Sequence, residues 1–190
     1  IIGLTGGIGS GKTSVAKLLE KKGFPVYYSD VEAKNMVNKD PALKDKIIAL
    51  LGEEAYQNGT YNRRFVAKKV FVNSEILNEL NHLIHPAVRL DFEKWVRSQT
   101  SEFIFKETAL LFELNLHEQC YKSLLVTADD NLRIKRTMDR DSKTYREIEA
   151  IMHKQMPEKD KIKLADYIIY NNADLENLEV ETDAFLFKLN

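Results

Sequence analysis

Residues 6–13 read GGIGSGKT and satisfy the pattern GxxxxGK(S/T) through Gly6, Gly11, Lys12 and Thr13. An apolar run from Ile1 to Thr5 precedes the octapeptide and reads as a buried strand. A helical pattern begins near Lys12 and carries Val15, Leu18 and Leu19 on one face. Strand, glycine-rich turn and helix, in that order, make a cradle for phosphate. Glycines let the backbone curl so that its N–H groups point inward, and the helix adds free donors and the positive end of its dipole. The expected phosphate contacts are Gly7, Gly9, Ser10, Gly11, Lys12, Thr13 and Ser14, with Lys12 reaching the outer phosphates and the Thr13 hydroxyl coordinating Mg2+. A strand-to-helix turn with no ligand is the plain alternative, and the matching flanks speak against it.

Outward from this loop, Gly23 suits the end of the first helix, and Phe24 to Tyr28 reads as a second strand. Asp40-Pro41 predicts a cap followed by a proline at the first helical position, with Gly52 closing that helix after Leu51. Asn58-Gly59 marks a turn. Helices are predicted over 62–72 and 74–84, the second capped by Ser74 and carrying an apolar stripe of Ile76, Leu77, Leu80, Leu83 and Ile84. Pro86 is expected to break the chain and open another helix through Trp95. Strands are expected at Phe103 to Lys106, Ser123 to Thr127 and Tyr167 to Tyr170. Leu132 to Arg140 reads as a basic helix, Thr144 with Glu147 as a capping box, and Leu175 to Leu189 as a closing helix. Strands alternating with helices around a helical block predict an α/β fold with a parallel sheet and a helical insertion.

Composition removes several classes of function. A formal net charge of -1 argues against a general nucleic-acid binder or an anionic-membrane binder. A single cysteine, Cys120, allows neither an internal disulfide nor a thiolate metal site, and it reads as a small buried apolar residue. No run approaches the ~20 apolar residues of a membrane span. A reducing cytoplasm is the expected home, a monomer the expected state, and a few residues are expected ahead of Ile1.

Glycine-loop proteins include switches, motors and kinases, so the loop alone does not choose among them. No DxxG switch motif is present, and Asn38-Lys39-Asp40 has the wrong spacing for a guanine reader. The chain is short for a motor, which leaves a small-molecule kinase. Asp30 closes the second strand, where parallel sheets place their ligands, and can orient an attacking hydroxyl. A helix cap before Val31-Glu32-Ala33 is the equal alternative. Arg133, Arg136 and Arg140 share one helical face by spacing. They read either as a lid that neutralises phosphoryl charge or as a solvated face paired with Asp139 and Asp141. His85, just before Pro86, reads either as a contact to substrate phosphate or ribose, or as a helix-end residue.

Taken together, these stretches resemble the dephospho-coenzyme A kinase family over nearly the whole chain. GLTGGIGSGK at 3–12, GFPVYYSD at 23–30, Asn62-Arg63, Val70-Phe71 and LNHLIHPAV at 80–88 carry the resemblance. ETALLFE at 107–113, KRTMDRD at 135–141, Gln155, Ala165-Asp166 and Asn171-Asn172 extend it. The resemblance implies a P-loop nucleoside triphosphate hydrolase fold with a five-stranded parallel sheet and helical substrate-binding and lid insertions. It implies a core of residues 1–30, 100–130 and 159–190, a helical substrate domain at 31–99 and a lid at 131–158. The implied reaction moves the γ-phosphoryl of ATP, with Mg2+, to the 3′-hydroxyl of dephospho-CoA. Asp30 is then the base, Arg136 and Arg140 contact ATP from the lid, and Arg63, His85 and Glu113 lie on the substrate side. Tyr28, Ala109 and Ala173 depart from the family's usual aspartate, proline and glycine. Another small-metabolite kinase, of the nucleoside monophosphate or shikimate type, and a non-catalytic nucleotide-binding module are the rival readings.

Overall fold

The computed structural model describes residues 1–189. The chain divides into two compact units, one built from Ile1–Tyr28 with the residues from Gln99 onward, the other from Ser29–Ser98.

The first unit is a parallel sheet wrapped by helices. Its strands are β1 (Ile2–Thr5), β2 (Val26–Tyr28), β5 (Phe105–Glu107), β6 (Lys122–Thr127) and β7 (Tyr167–Tyr170). They lie in the order β2-β5-β1-β6-β7, and every neighbouring pair is parallel. Central β1 pairs with β5 through Ile2 and Phe105 and with β6 through Leu4 and Leu124. All four of its residues are buried, as expected of a strand covered on both faces. Helix α1 (Lys12–Lys21) lays Val15, Leu18 and Leu19 into a core with Ile2, Leu4, Phe105, Leu124, Val126 and Ile169. Leu178 and Phe185 of α9 (Leu175–Leu189) complete that core. Three further helices, α6 (Asp130–Asp141), α7 (Tyr145–Lys154) and α8 (Glu158–Leu164), connect β6 to β7. The Thr144–Glu147 capping box forms as the spacing predicts. Cys120 is partly rather than fully buried, and that burial pushes its thiol up.

The second unit holds α2 (Ser29–Lys39), α3 (Pro41–Leu51), α4 (Arg63–Val72), α5 (Ser74–Arg97) and a small hairpin of β3 (Tyr56–Gln57) and β4 (Thr60–Tyr61). Asp40 Oδ1 accepts from the N–H groups of Ala42 and Leu43, so the predicted cap and its proline start α3. The predicted turn at Asn58-Gly59 is a hairpin turn, with both residues at positive φ. Buried Val37, Leu43, Ile47, Leu51, Ala55, Val66 and Leu80 form the unit's core.

Two local expectations are corrected. Ser74 is the first residue of α5 rather than its cap, because the Asn73 side chain accepts from Glu75 and Ile76 instead. Pro86 lies inside α5, which runs unbroken for 24 residues. Proline removes one helical hydrogen bond, but Ile84 and Ala87, on either side of it, both pack against the same apolar cluster. Tertiary packing therefore overrides the local breaker. Among the described residues no helix is long and apolar enough to cross a membrane.

Candidate active site

The loop between β1 and α1 is shaped by what surrounds it. Gly9 and Gly11 take φ values of 76° and 94°, which side-chain-bearing residues rarely adopt. A Cβ on Gly9 would also run into the Arg133 carbonyl, and one on Gly11 into the Asn171 amide. Inside the loop, Ser10 N–H donates to the Gly7 carbonyl at 3.2 Å, and Ser14 N–H to that of Gly11 at 2.9 Å. Gly11 is the N-cap of α1 and has no side chain to give, so no side-chain cap covers the helix's first N–H groups. An N-terminus of this kind binds anions. Ser10 and Thr5 hydroxyl oxygens are buried here without a hydrogen-bond partner.

Lys12, the first residue of α1, is ion-paired with Glu107 at the end of the adjoining strand β5. The Glu107 side chain is only 4% exposed, so its charge requires a cation close by. Thr13 is exposed next to it, and Ser14 is partly buried. Mg2+ ordinarily keeps several waters and takes one or two protein oxygens together with substrate phosphates. The exposed Thr13 hydroxyl at the mouth of a phosphate cradle fits that pattern.

Three side chains grip the loop from behind. Arg133 Nε donates to the Ile8 carbonyl at 3.0 Å, Gln155 Oε1 accepts from the Ile8 N–H at 3.1 Å, and Asn171 Nδ2 donates to the Ser10 carbonyl at 2.9 Å. Arg133 is buried and also reaches Asp130 and Glu158. The three arginines share one face of α6, as their spacing predicts, but their guanidiniums have different surroundings. Arg136 donates to the carbonyls of Asn171 at 2.8 Å and Ala173 at 3.3 Å. Arg140 is exposed and bonds Asp141, whose carboxyl it holds below the usual range.

A family model described as dephospho-CoA kinase matches residues 1–177. The chain belongs to the dephospho-CoA kinase family. The dephospho-CoA kinase of Fusobacterium nucleatum is 37% identical over 97% of this chain and 96% of its own. That of Bacteroides fragilis is 34% identical over 98% and 93%. Among solved structures, TT1252 from Thermus thermophilus superposes with a TM-score of 0.89 at 34% identity, covering 100% of this chain and 97% of its own. The dephospho-CoA kinase of Campylobacter jejuni, at 22% identity and a TM-score of 0.74, covers 99% and 96% and shares the fold.

Against the family pattern, the remaining residues fall as follows. Tyr28, where an acid is usual, donates its hydroxyl to Glu20 at 2.8 Å, and burial pushes its pKa up. Ala173 has no positive φ, so it needs no glycine's freedom there. Glu113 Oε1 accepts from the Met156 N–H at 2.9 Å and faces the wholly buried Lys161 at 3.2 Å. In the second unit, Asp30 is exposed in the first turn of α2; it is a residue of the helix and not its cap. Arg63 is exposed as the first residue of α4, whose cap is Asn62. His85 is exposed on α5, where desolvation by neighbouring atoms, and then the charge of His82, lower its pKa.

Glu107, Gln155, Arg133 and Asn171 are the residues whose roles at the loop sequence reasoning did not see. Gln155 and Asn171 match the family pattern, but nothing local to them announces a bond to a loop more than a hundred residues away.

Proposed function

We propose that this member of the dephospho-CoA kinase family carries out the family's reaction through the residues brought together at the loop, with Asp30 and the substrate-side residues of the second unit. The chain is an ATP-dependent phosphotransferase of the last step of CoA biosynthesis. The observation that carries the assignment of the donor site is the glycine loop leading into an uncapped helix start, with Lys12 at its first position. ATP lays its outer phosphates against the loop's N–H groups, and Lys12 exchanges Glu107 for phosphate oxygens. The Thr13 hydroxyl would help hold Mg2+, and the ion would supply charge neutralisation at the phosphates.

Asp30 accepts the hydrogen bond of the 3′-hydroxyl of dephospho-CoA and so orients that hydroxyl for attack. Because the transition state is loose, orientation matters more than early proton removal. Arg140, which bonds only an exposed neighbouring carboxylate, and Arg136 neutralise charge on the transferring group. Arg63 and His85 contact dephospho-CoA, and the lowered pKa of His85 favours its ring as a hydrogen-bond partner over a cation. Glu113, the remaining substrate-side residue, is held in place by Lys161 and the Met156 N–H. The enzyme is proposed to work as a monomer in the cytoplasm.

The test is ADP release with Mg-ATP and a panel of acceptors. Turnover is expected with dephospho-CoA and not with shikimate or nucleoside monophosphates. Turnover on one of those, with none on dephospho-CoA, would refute the assignment. ATP binding without turnover on any acceptor would support a non-catalytic module.

A further inference from the structure

Ile8 belongs to the phosphate-binding loop, yet both polar groups of its backbone are held from outside that loop. Its N–H donates to Gln155 at 3.1 Å, and its carbonyl accepts from Arg133 at 3.0 Å. Neither side chain has a role in the phosphoryl transfer described above. Both are themselves anchored. Arg133 is 3% exposed and bonds Asp130 at 3.1 Å and Glu158 at 3.2 Å. Gln155 is followed by Met156, whose N–H donates to Glu113, and Glu113 is in turn paired with buried Lys161.

The peptide between Ile8 and Gly9 is planar and trans, so its N–H points opposite to its C=O. Drawing the Ile8 carbonyl toward Arg133 therefore turns the Gly9 N–H away from α6. The side facing α6 is closed, because a Cβ on Gly7 would meet the Arg133 guanidinium and one on Gly9 its carbonyl. The side left to the Gly9 N–H is the side left for an anion.

We propose that Arg133 and Gln155 are positioning residues for ATP. By holding both polar groups of Ile8 they set the peptide orientation that aims the loop's donors at phosphate, and they touch no substrate themselves. In this account the start of α6, with buried Arg133 and Thr137, is a fixed abutment of the loop. Any part of the lid that moves with ATP then lies between Thr137 and Gln155.

This inference rests on the reading of the loop as the ATP site, and the experiment separates the two. Arg133→Lys keeps the charge but cannot make the three-way fork, and Gln155→Met keeps the length without the acceptor. The KM for ATP is expected to rise about tenfold in each variant, while the KM for dephospho-CoA stays within about twofold. The rise in melting temperature on adding ATP should shrink in both. An unchanged KM for ATP, or both KM values rising together with a fall in melting temperature without nucleotide, overturns the proposal in favour of a merely structural role. Should Arg133→Lys fail to fold, Gln155→Met decides, since Gln155 is only partly buried. Lys12→Met is the control. If it loses ATP binding while the other two bind normally, this inference alone falls. If it binds ATP normally, the reading of the site falls and the inference with it.

Discussion

Lys12 is held by Glu107, and in the proposed reaction it exchanges that carboxylate for phosphate oxygens. Pairing keeps a mostly buried cation in place beside the loop until a phosphate oxygen takes the place of the carboxylate. Asp30, the proposed base, is an exposed carboxylate in the first turn of α2. Asp30→Asn is expected to cut kcat by about 10²–10⁴-fold while the ATP dissociation constant moves by less than about twofold. Steady-state kinetics with a nucleotide titration checks both numbers, and an unchanged kcat returns Asp30 to a helix-end role. Gly9 gives a sharper steric test. Its φ of 76° disfavours any Cβ by about 1–2 kcal/mol, before the collision with Arg133 is counted. Gly9→Ala should therefore weaken ATP binding by more than about tenfold, measured by nucleotide titration. The glycines and Lys12 were legible in the sequence because their spacing is local. Glu107 and Arg133 were not, because their partners come from distant parts of the chain.

At the scale of elements, α5 shows a stripe defeating a breaker. Ile76, Leu83, Ile84 and Ala87 pack on the second unit's core beside buried Leu80, and that burial carries the helix through Pro86. The proline still costs a hydrogen bond, about 3 kcal/mol relative to alanine in a helix interior. Pro86→Ala is thus expected to stabilise the protein by about 1–3 kcal/mol in urea unfolding. No gain would mean that the helix is relaxed at Pro86 in a way the stripe does not explain. The pair β6 and β7 has a polar tie of its own: Asp166, just ahead of β7, accepts from Ser123 N–H and hydroxyl, both at 2.8 Å, and from Lys122 at 3.0 Å. Burial alone would raise its pKa, but these three donors outweigh it and the net shift is downward. A depressed carboxylate contributes stability above its unfolded value of about 3.9, and loses it as pH falls through the folded value. Asp166→Asn should be less stable than the parent at neutral pH, with the gap narrowing below about pH 4. Melting curves across pH would show it, and a gap that stays constant would place the contribution elsewhere.

For the whole molecule, binding adds to stability by mass action. ATP at 100 times its dissociation constant should stabilise the fold by about 2.7 kcal/mol. Melting with Mg-ATP against no nucleotide measures this, and EDTA is expected to abolish turnover. By itself, the sequence determined the strand, turn and helix around residues 6–13 and the caps at Asp40 and Thr144, and it pointed to a donor phosphate site. Those features depend on neighbours a few residues apart, so spacing suffices to read them. Through resemblance it also carried the family and the acceptor. Only the tertiary structure decided the strand order β2-β5-β1-β6-β7, the unbroken course of α5, and the separate surroundings of Arg133, Arg136 and Arg140. The physical reason is the same in each case. Burial and buried charge are satisfied by partners that the chain supplies from far away, as Arg133 reaches Ile8 and Lys12 reaches Glu107.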